Sequence, residues 1–274
     1  MNPENPPEAT LDQADIDALI RSYDRVGDII ITTIPGHLLA QEQRIGQRLL
    51  QLHPSVRVVA KRVGPHHGDF RTRKLAVIAG EPRKETRHRE NGVWLHLNPE
   101  SVYYSGRLAG ERLRIAQLVE AGEEVAVFCS GVGPFPLVIA RHSAAAAIIG
   151  IEKNPLAHGF ALQNLQANRR IQNVRFLLGD AGQAPSRLKQ SVDRLITVLP
   201  TAHTSLLDSA IQTLRPGGTL HHYAMVEQGA NQVVVTQIRA ACRHRQRRLE
   251  AVTYRRCGHC GPTTDRVCFQ ATIL

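Results

Sequence analysis

The chain has 274 residues, 42% hydrophobic and 21% charged, the usage of an ordinary globular protein with room for a main domain and a smaller partner. No stretch approaches the roughly 18 uninterrupted apolar residues of a membrane helix, and Met1 to Thr10 lack the basic start and apolar run of a secretory signal. The expectation is a soluble, cytoplasmic monomer whose five cysteines are reduced thiols, and whose formal charge of +10 suits a polyanion such as nucleic acid. A solvated helix face is the alternative for a basic run such as Arg243-His244-Arg245-Gln246-Arg247-Arg248.

Residues 1–26 read as a tail with a short helix, and 27–100 as a small α+β domain. Within that domain the β-branched runs Ile29–Thr33 and Val56–Lys61 predict strands on either side of an amphipathic helix over Ala40–Leu52. Leu75–Ala79 and Val93–Leu97 continue as strands. Gly64-Pro65-His66-His67-Gly68-Asp69-Phe70-Arg71 reads as an exposed loop, because Gly and Pro punctuate it.

From residue 101 to the C-terminus strands and helices alternate. Helices are expected over Gly110–Glu120, Phe135–Arg141, Pro155–Asn168, Ser205–Leu214 and Gln232–Arg245. Strands are expected over Glu124–Cys129, Ala146–Ile151, Val174–Leu178, Asp193–Val198 and Thr219–Ala224, followed by Ala251–Tyr254 and Arg266–Ile273 with no helix between them. This is the pattern of an α/β, Rossmann-like domain: a mostly parallel sheet covered on both faces, closed by a C-terminal antiparallel hairpin.

The first strand of that sheet runs into Ser130-Gly131-Val132-Gly133-Pro134-Phe135, where the missing side chains of Gly131 and Gly133 let backbone approach a ligand. The second strand ends at Glu152-Lys153, one βα unit later, where a carboxylate can accept from both hydroxyls of a ribose. The third ends at Gly179-Asp180-Ala181, close to where an adenine amino group would sit. Ligands of open parallel sheets bind outside the carboxyl ends of the strands, so the three ends converge on one crevice. A tight turn without a ligand, and helix-capping roles for the two acids, are the alternatives. A dinucleotide fingerprint wants a third glycine, and Pro134-Phe135-Pro136 supplies none, so an S-adenosylmethionine site is favoured.

Three segments carry a closer likeness: His88-Arg89-Glu90-Asn91-Gly92, the run from Val102 to Arg112 (Val-Tyr-Tyr-Ser-Gly-Arg-Leu-Ala-Gly-Glu-Arg), and Gly131-Val132-Gly133-Pro134-Phe135. With them the chain, from about Gly27 onward, resembles the archaeal and eukaryotic type of tRNA (guanine37-N1)-methyltransferase and its sister branch, the wybutosine-pathway aminocarboxypropyltransferases. The resemblance implies a class I S-adenosyl-L-methionine-dependent transferase acting on tRNA. By matching motif positions it implies Glu111 as the general base for guanine N1 and Arg71 as the cation beside the guanine carbonyl. Tyr103, Arg107 and Arg112 would line the cofactor or hold the base, with Ser130, Gly131, Gly133, Glu152, Lys153, Asp180, Ala181, Leu199 and Pro200 around the cofactor. Those residue types fit the chemistry: a carboxylate removes the N1 proton as the methyl arrives, and a cation offsets charge growing on the carbonyl. Without the surrounding motif, Glu111-Arg112 reads as an exposed pair at a helix start.

Two positions depart from the family pattern. Val127 stands where an Asp is usual in the strand before the glycines, and Val198 where an Asn precedes Leu199-Pro200. Thr197 or Thr201 are candidates to replace that Asn. A separate elbow-sensing domain, often found in the methyltransferase branch, is expected to be absent, since only about 25 residues precede Gly27. Cys257-Gly258-His259-Cys260 with Cys268 has the spacing of a zinc site, but a hairpin turn with Cys268 as a buried apolar residue is the alternative, and no metal is assigned. The functional expectation is methyl transfer to RNA; the alternatives are aminocarboxypropyl transfer to a tricyclic tRNA base, a small-molecule methyltransferase, and a catalytically silent RNA-binding paralogue.

Overall fold

The computed structural model describes residues 23–198 and 204–274, which fall into two compact units: the described residues up to His88 together with Asn98–Ser101, and Arg89–Leu97 together with Val102–Leu274. Most of the expected N-terminal tail and helix, and Leu199, Pro200 and Thr201, lie outside the described residues.

The smaller unit is a four-stranded sheet of order β1-β2-β3-β4, with β1 at Tyr23–Val26, β2 at Ile29–Thr32, β3 at Val58–His67 and β4 at Thr72–Gly80. A helix, α1, at Glu42–Leu52 lays Ile45 and Leu49 on Ile30, Val59 and Ile78. Apolar residues recurring at helical spacing dictate this face. The first half of the segment expected as the loop Gly64–Arg71 is instead strand. β3 continues to His67 with an irregularity between Val63 and His67, and only residues 68–71 turn, because Pro65 is accommodated where the ladder with β4 is already interrupted.

The larger unit holds a seven-stranded sheet of order β12-β13-β11-β10-β7-β8-β9. Its strands are β7 Glu124–Phe128, β8 Ala147–Glu152, β9 Val174–Leu178, β10 Val192–Thr197, β11 Leu214–Glu227, β12 Leu249–His259 and β13 Thr264–Ile273. β9, β8, β7, β10 and β11 are parallel, and β13 and β12 pair antiparallel at one edge, the expected hairpin. The helices are α2 Ala109–Leu118, α3 Pro134–His142, α4 Pro155–Ala167, α5 Pro185–Leu188, α6 Thr204–Thr213 and α7 Asn231–His244. Val125 to Phe128 are 0% exposed, as expected of a central strand covered on both faces. The strand order reverses between β7 and β10, so the crevice where such sheets bind ligands lies at the carboxyl ends of β7 and its neighbours.

A two-stranded hairpin, β5 at Thr86–Glu90 and β6 at Val93–Leu97, precedes this sheet, and its residues from Arg89 to Leu97 group with the larger unit although the sequence places them in the small domain. Two asparagines four residues apart on the α4 side explain this. Asn168 donates to Trp94 O at 2.8 Å and accepts from Trp94 N at 2.9 Å, and Asn164 accepts from His96 N at 2.6 Å and donates to His96 O at 3.1 Å. The two amides continue a β-ladder from a helix end. No described helix is long and apolar enough to cross a membrane.

Candidate active site

The glycine turn is set by backbone conformation. Cys129, Gly131 and Gly133 all take positive φ (58°, 57° and 86°), and Gly133 caps α3, with Pro134 at its first position where a missing N–H costs nothing. A side chain on Gly133 would meet Phe176 of β9 at 2.6 Å, and one on Gly150 of β8 would meet the same ring at 2.6 Å. Two glycines thus let one aromatic ring close the floor under the turn. A side chain on Gly131 would come near only Tyr103 O, at 3.7 Å, so this glycine borders open space and brings the Tyr103 backbone beside the turn.

Glu152 ties the strand ends together. Its Oε2 accepts from Gly131 N at 2.7 Å and its Oε1 from Asn154 N at 2.8 Å, while its carbonyl accepts from Gly179 N at 2.9 Å. A carboxylate offers about four acceptor positions, so two remain for a ligand. Asp180, at the end of β9, accepts from Gly182 N at 2.8 Å and faces Lys153 Nζ at 3.4 Å; both side chains are exposed. Ala181 is buried at the start of the short turn that follows. The carboxyl ends of β7, β8 and β9 therefore gather Gly131, Glu152, Lys153 and Asp180, as the sequence anticipates. Ser130 is different: its hydroxyl is buried without a hydrogen-bond partner and turned toward Gly150, so only its backbone faces the turn.

Asn164 belongs to this group and is not legible as a site residue in the sequence. Fully buried, it donates to Val132 O at 2.9 Å while pairing with His96, so one amide fixes the centre of the glycine turn to β6. The signal was present as a lone Asn on the buried face of a helix.

Glu111 lies in the first turn of α2 with its side chain 8% exposed. Arg114, one turn on, holds it in a fork, Nε to Oε2 at 2.7 Å and Nη2 to Oε1 at 2.5 Å, and the Tyr223 hydroxyl of β11 donates to Oε1 at 2.8 Å. Burial pushes the carboxyl upward, but the hydrogen bonds from Arg114 and Tyr223 and the charge of Arg114 more than offset it, and it sits below the ordinary carboxylate value. Glu111 is neither an exposed helix-start charge nor a strong base at rest.

Arg112 corrects the expectation that it lines the cofactor or the base. It is 2% exposed; Nε and Nη2 each meet a Glu90 oxygen at 2.5 Å, Nη2 also meets Ser105 O at 2.9 Å, and the guanidinium lies 5.4 Å from the Tyr104 ring centroid and 5.7 Å from that of Phe135. All of its faces are enclosed by protein. Arg107 is exposed in a single 3₁₀ turn, Gly106–Leu108, just before α2. Arg71 lies in the smaller unit, at the turn between β3 and β4. Its φ is 51°, its N–H donates to Gly68 O at 3.1 Å, and its carbonyl meets His66 Nδ1 at 2.8 Å.

Val127 is 0% exposed, enclosed between β8 and β10. Thr197 does not replace the absent Asn: it is 1% exposed and its hydroxyl is tied to His222 Nδ1 at 2.7 Å. Cys257 and Cys268 come to the Glu111 side of the hairpin, and among the described residues no cluster of three or more His, Cys, Asp or Glu could hold a metal.

The TRM5/TYW2 methyltransferase domain matches residues 86–250, and the TYW2 N-terminal domain matches residues 8–83. The chain belongs to the TRM5/TYW2 methyltransferase family. Among its relatives, the tRNA (guanine(37)-N(1))-methyltransferase Trm5b of Pyrococcus abyssi is 35% identical over 208 residues, 76% of this chain and 61% of that protein. The tRNA 4-demethylwyosine(37)-methyltransferase Taw21 of Saccharolobus solfataricus is 30% identical over 217 residues, 79% of this chain and 81% of that one. The crystal structure of Pyrococcus abyssi Trm5b superposes with a TM-score of 0.85 at 29% identity, covering 99% of this chain and 81% of the other. The chain spans about six tenths of the length of the Trm5b relatives it matches.

Proposed function

We propose that this protein is an S-adenosyl-L-methionine-dependent methyltransferase that modifies a purine ring nitrogen of tRNA, as its Trm5b relatives are named for doing. The observation that carries the reading is the Glu152 carboxylate bridging Gly131 N and Asn154 N at the mouth of the sheet, with acceptor capacity left for a ribose, in a chain of this family.

The fit of a cofactor here rests on the open space above Gly131 and the spare acceptors of Glu152. Gly131, Gly133, Glu152, Lys153, Asp180 and Ala181 would hold the nucleoside part, with the backbones of Ser130 and Tyr103 alongside. When bound, the cofactor supplies an electrophilic methyl group on a positively charged sulfur. Glu111, kept ionised, accepts the proton leaving the ring nitrogen, and the family resemblance gives Arg71 the role of offsetting negative charge on the base carbonyl. The net positive charge of the chain draws in the phosphate backbone of the tRNA.

A second reading, aminocarboxypropyl transfer from the same cofactor, draws on the match of residues 8–83 to the TYW2 N-terminal domain and on Val198 in place of the usual Asn. Titration calorimetry with S-adenosylmethionine, followed by mass analysis of nucleosides from treated tRNA, tests both. Absence of binding at about millimolar cofactor refutes either transfer. A gain of one methyl supports the first reading, and a gain of the heavier amino-acid-like group the second. Glu111→Gln is expected to lower turnover by roughly a hundredfold while leaving cofactor binding intact.

A further inference from the structure

Glu111 is not a carboxylate facing open solvent: side chains from α2 and from three strands surround it. Arg114, on its own helix, contributes two hydrogen bonds and Tyr223 of β11 a third, while Cys257 of β12, whose thiol donates to Arg255 O at 3.3 Å, and Cys268 of β13 lie beside the carboxylate and Tyr223. Tyr223 cannot move easily, since it is 1% exposed and its ring packs 5.7 Å from that of Phe135, next to the glycine turn.

We infer that Arg114 and Tyr223 are positioning residues that aim the Glu111 carboxylate, so that it receives the nucleobase proton on a position their hydrogen bonds leave open. The inference rests on the reading of Glu111 as the proton acceptor. Arg114 and Tyr223 place two hydrogen bonds on Oε1 and one on Oε2, so the position they leave open belongs to Oε2. Within the cluster the carboxylate alone is available as an acid–base group near neutral pH. Burial, then the neighbouring charges, holds the Tyr223 phenol well above its ordinary value, and burial pushes both thiols up to about 12. The phenol therefore stays protonated and donates to Glu111, and the thiols stay protonated beside it. A bidentate guanidinium fixes direction as well as charge, which a single lysine-like contact does not.

Glu111 of the intact protein thus imposes no acid limb on the rate at ordinary pH, and removing its donors creates one. The test is the pH dependence of single-turnover tRNA methylation from pH 5 to 9 for the wild type, Arg114→Met and Tyr223→Phe, with each variant repeated in a Glu111→Gln background. Arg114→Met leaves a desolvated carboxylate without its counter-charge. Its rate is expected to fall about tenfold per pH unit below a limb that the wild type lacks, and to recover at high pH. Tyr223→Phe, which removes a single oxygen and keeps the ring packing, shifts the limb in the same direction by less. In the Glu111→Gln background neither substitution changes the shape of the profile. A uniform rate loss with the wild-type pH profile, or equal losses with and without Glu111, overturns the inference and leaves the role of Glu111 standing. Full activity of Glu111→Gln by itself would instead remove the reading on which the inference rests.

Discussion

The buried pair Glu90–Arg112 gives the sharpest stability prediction. Both side chains are 2% exposed, and the carboxylate also accepts from the Tyr104 hydroxyl at 2.5 Å. Breaking such a pair by removing one partner strands an uncompensated charge and costs about 3–5 kcal/mol, whereas replacing both by apolar groups is often near neutral. Glu90→Gln keeps the shape but leaves the guanidinium facing a neutral amide, so a loss of about 3 kcal/mol is expected, and Arg112→Met leaves the carboxylate with Tyr104 alone and should cost at least as much. The double replacement Glu90→Leu/Arg112→Met removes both charges but also the carboxylate that accepts from the Tyr104 hydroxyl, a loss of up to about 1–3 kcal/mol that Tyr104→Phe then relieves. The order of stability is therefore wild type and triple variant above the double variant, with both single variants lowest. Trp94 is the only tryptophan and lies in the β5–β6 hairpin that Glu90 closes, so its fluorescence during urea unfolding reports this region directly. Single variants that each lose less than about 1 kcal/mol, or a double variant no better than the worse single, would refute the argument that the pair is an enclosed electrostatic unit.

The glycine turn and two buried histidines carry two further outcomes. Gly133→Ala forces a Cβ into a left-handed residue and to 2.6 Å from Phe176, while Gly131→Ala meets nothing closer than 3.7 Å; the first should lose several kcal/mol of stability and the second about 1 kcal/mol, read as urea midpoints, with cofactor affinity lowered in both. His222 is held by burial at about 4 in the folded state against an ordinary 6.5, and its neighbour His221 is lowered too. Because the unfolded chain takes up protons that the folded chain refuses, stability is fully present above about pH 6.5 and drains as pH falls toward 4, by up to roughly 3 kcal/mol for His222. The urea midpoint should drop between pH 7 and pH 5 and drop less in His222→Gln; a flat profile would mean that neither imidazole is buried in neutral form.

The fold was largely legible because its dominant signals are local. Period-two and period-3.6 apolar patterns marked the strands and helices, and the acid one βα unit after the glycines marked the crevice. What escaped depended on partners far along the chain. Asn164 and Asn168 reach β6 across about seventy positions, and β5 itself, Thr-Arg-His-Arg-Glu, carries no apolar alternation to announce a strand. The sequence marks Glu152 as a ribose acceptor, but cannot show that it also clamps Gly131 N. Thr197 looked free to replace an amide until its hydroxyl was found on His222, a residue of the next strand.

The pair Glu111-Arg112 shows why a motif read as one unit divides in three dimensions. Adjacent helical residues differ by about 100° in direction, whereas positions three apart share a face. Arg112 therefore turns inward to Glu90, and the partner of Glu111 is Arg114, which the sequence reading passed over. Each carboxylate thus has its own guanidinium, one pair bracing the hairpin against α2 and the other gripping the proposed base. Because the two forks hang on one helix, a shift of α2 that loosened Arg112 from Glu90 would also displace Glu111 from Tyr223. Integrity of the buried pair and alignment of the base are consequently coupled, and the Glu90→Gln variant should lower turnover as well as stability, while Tyr223→Phe lowers turnover far more than it lowers the urea midpoint.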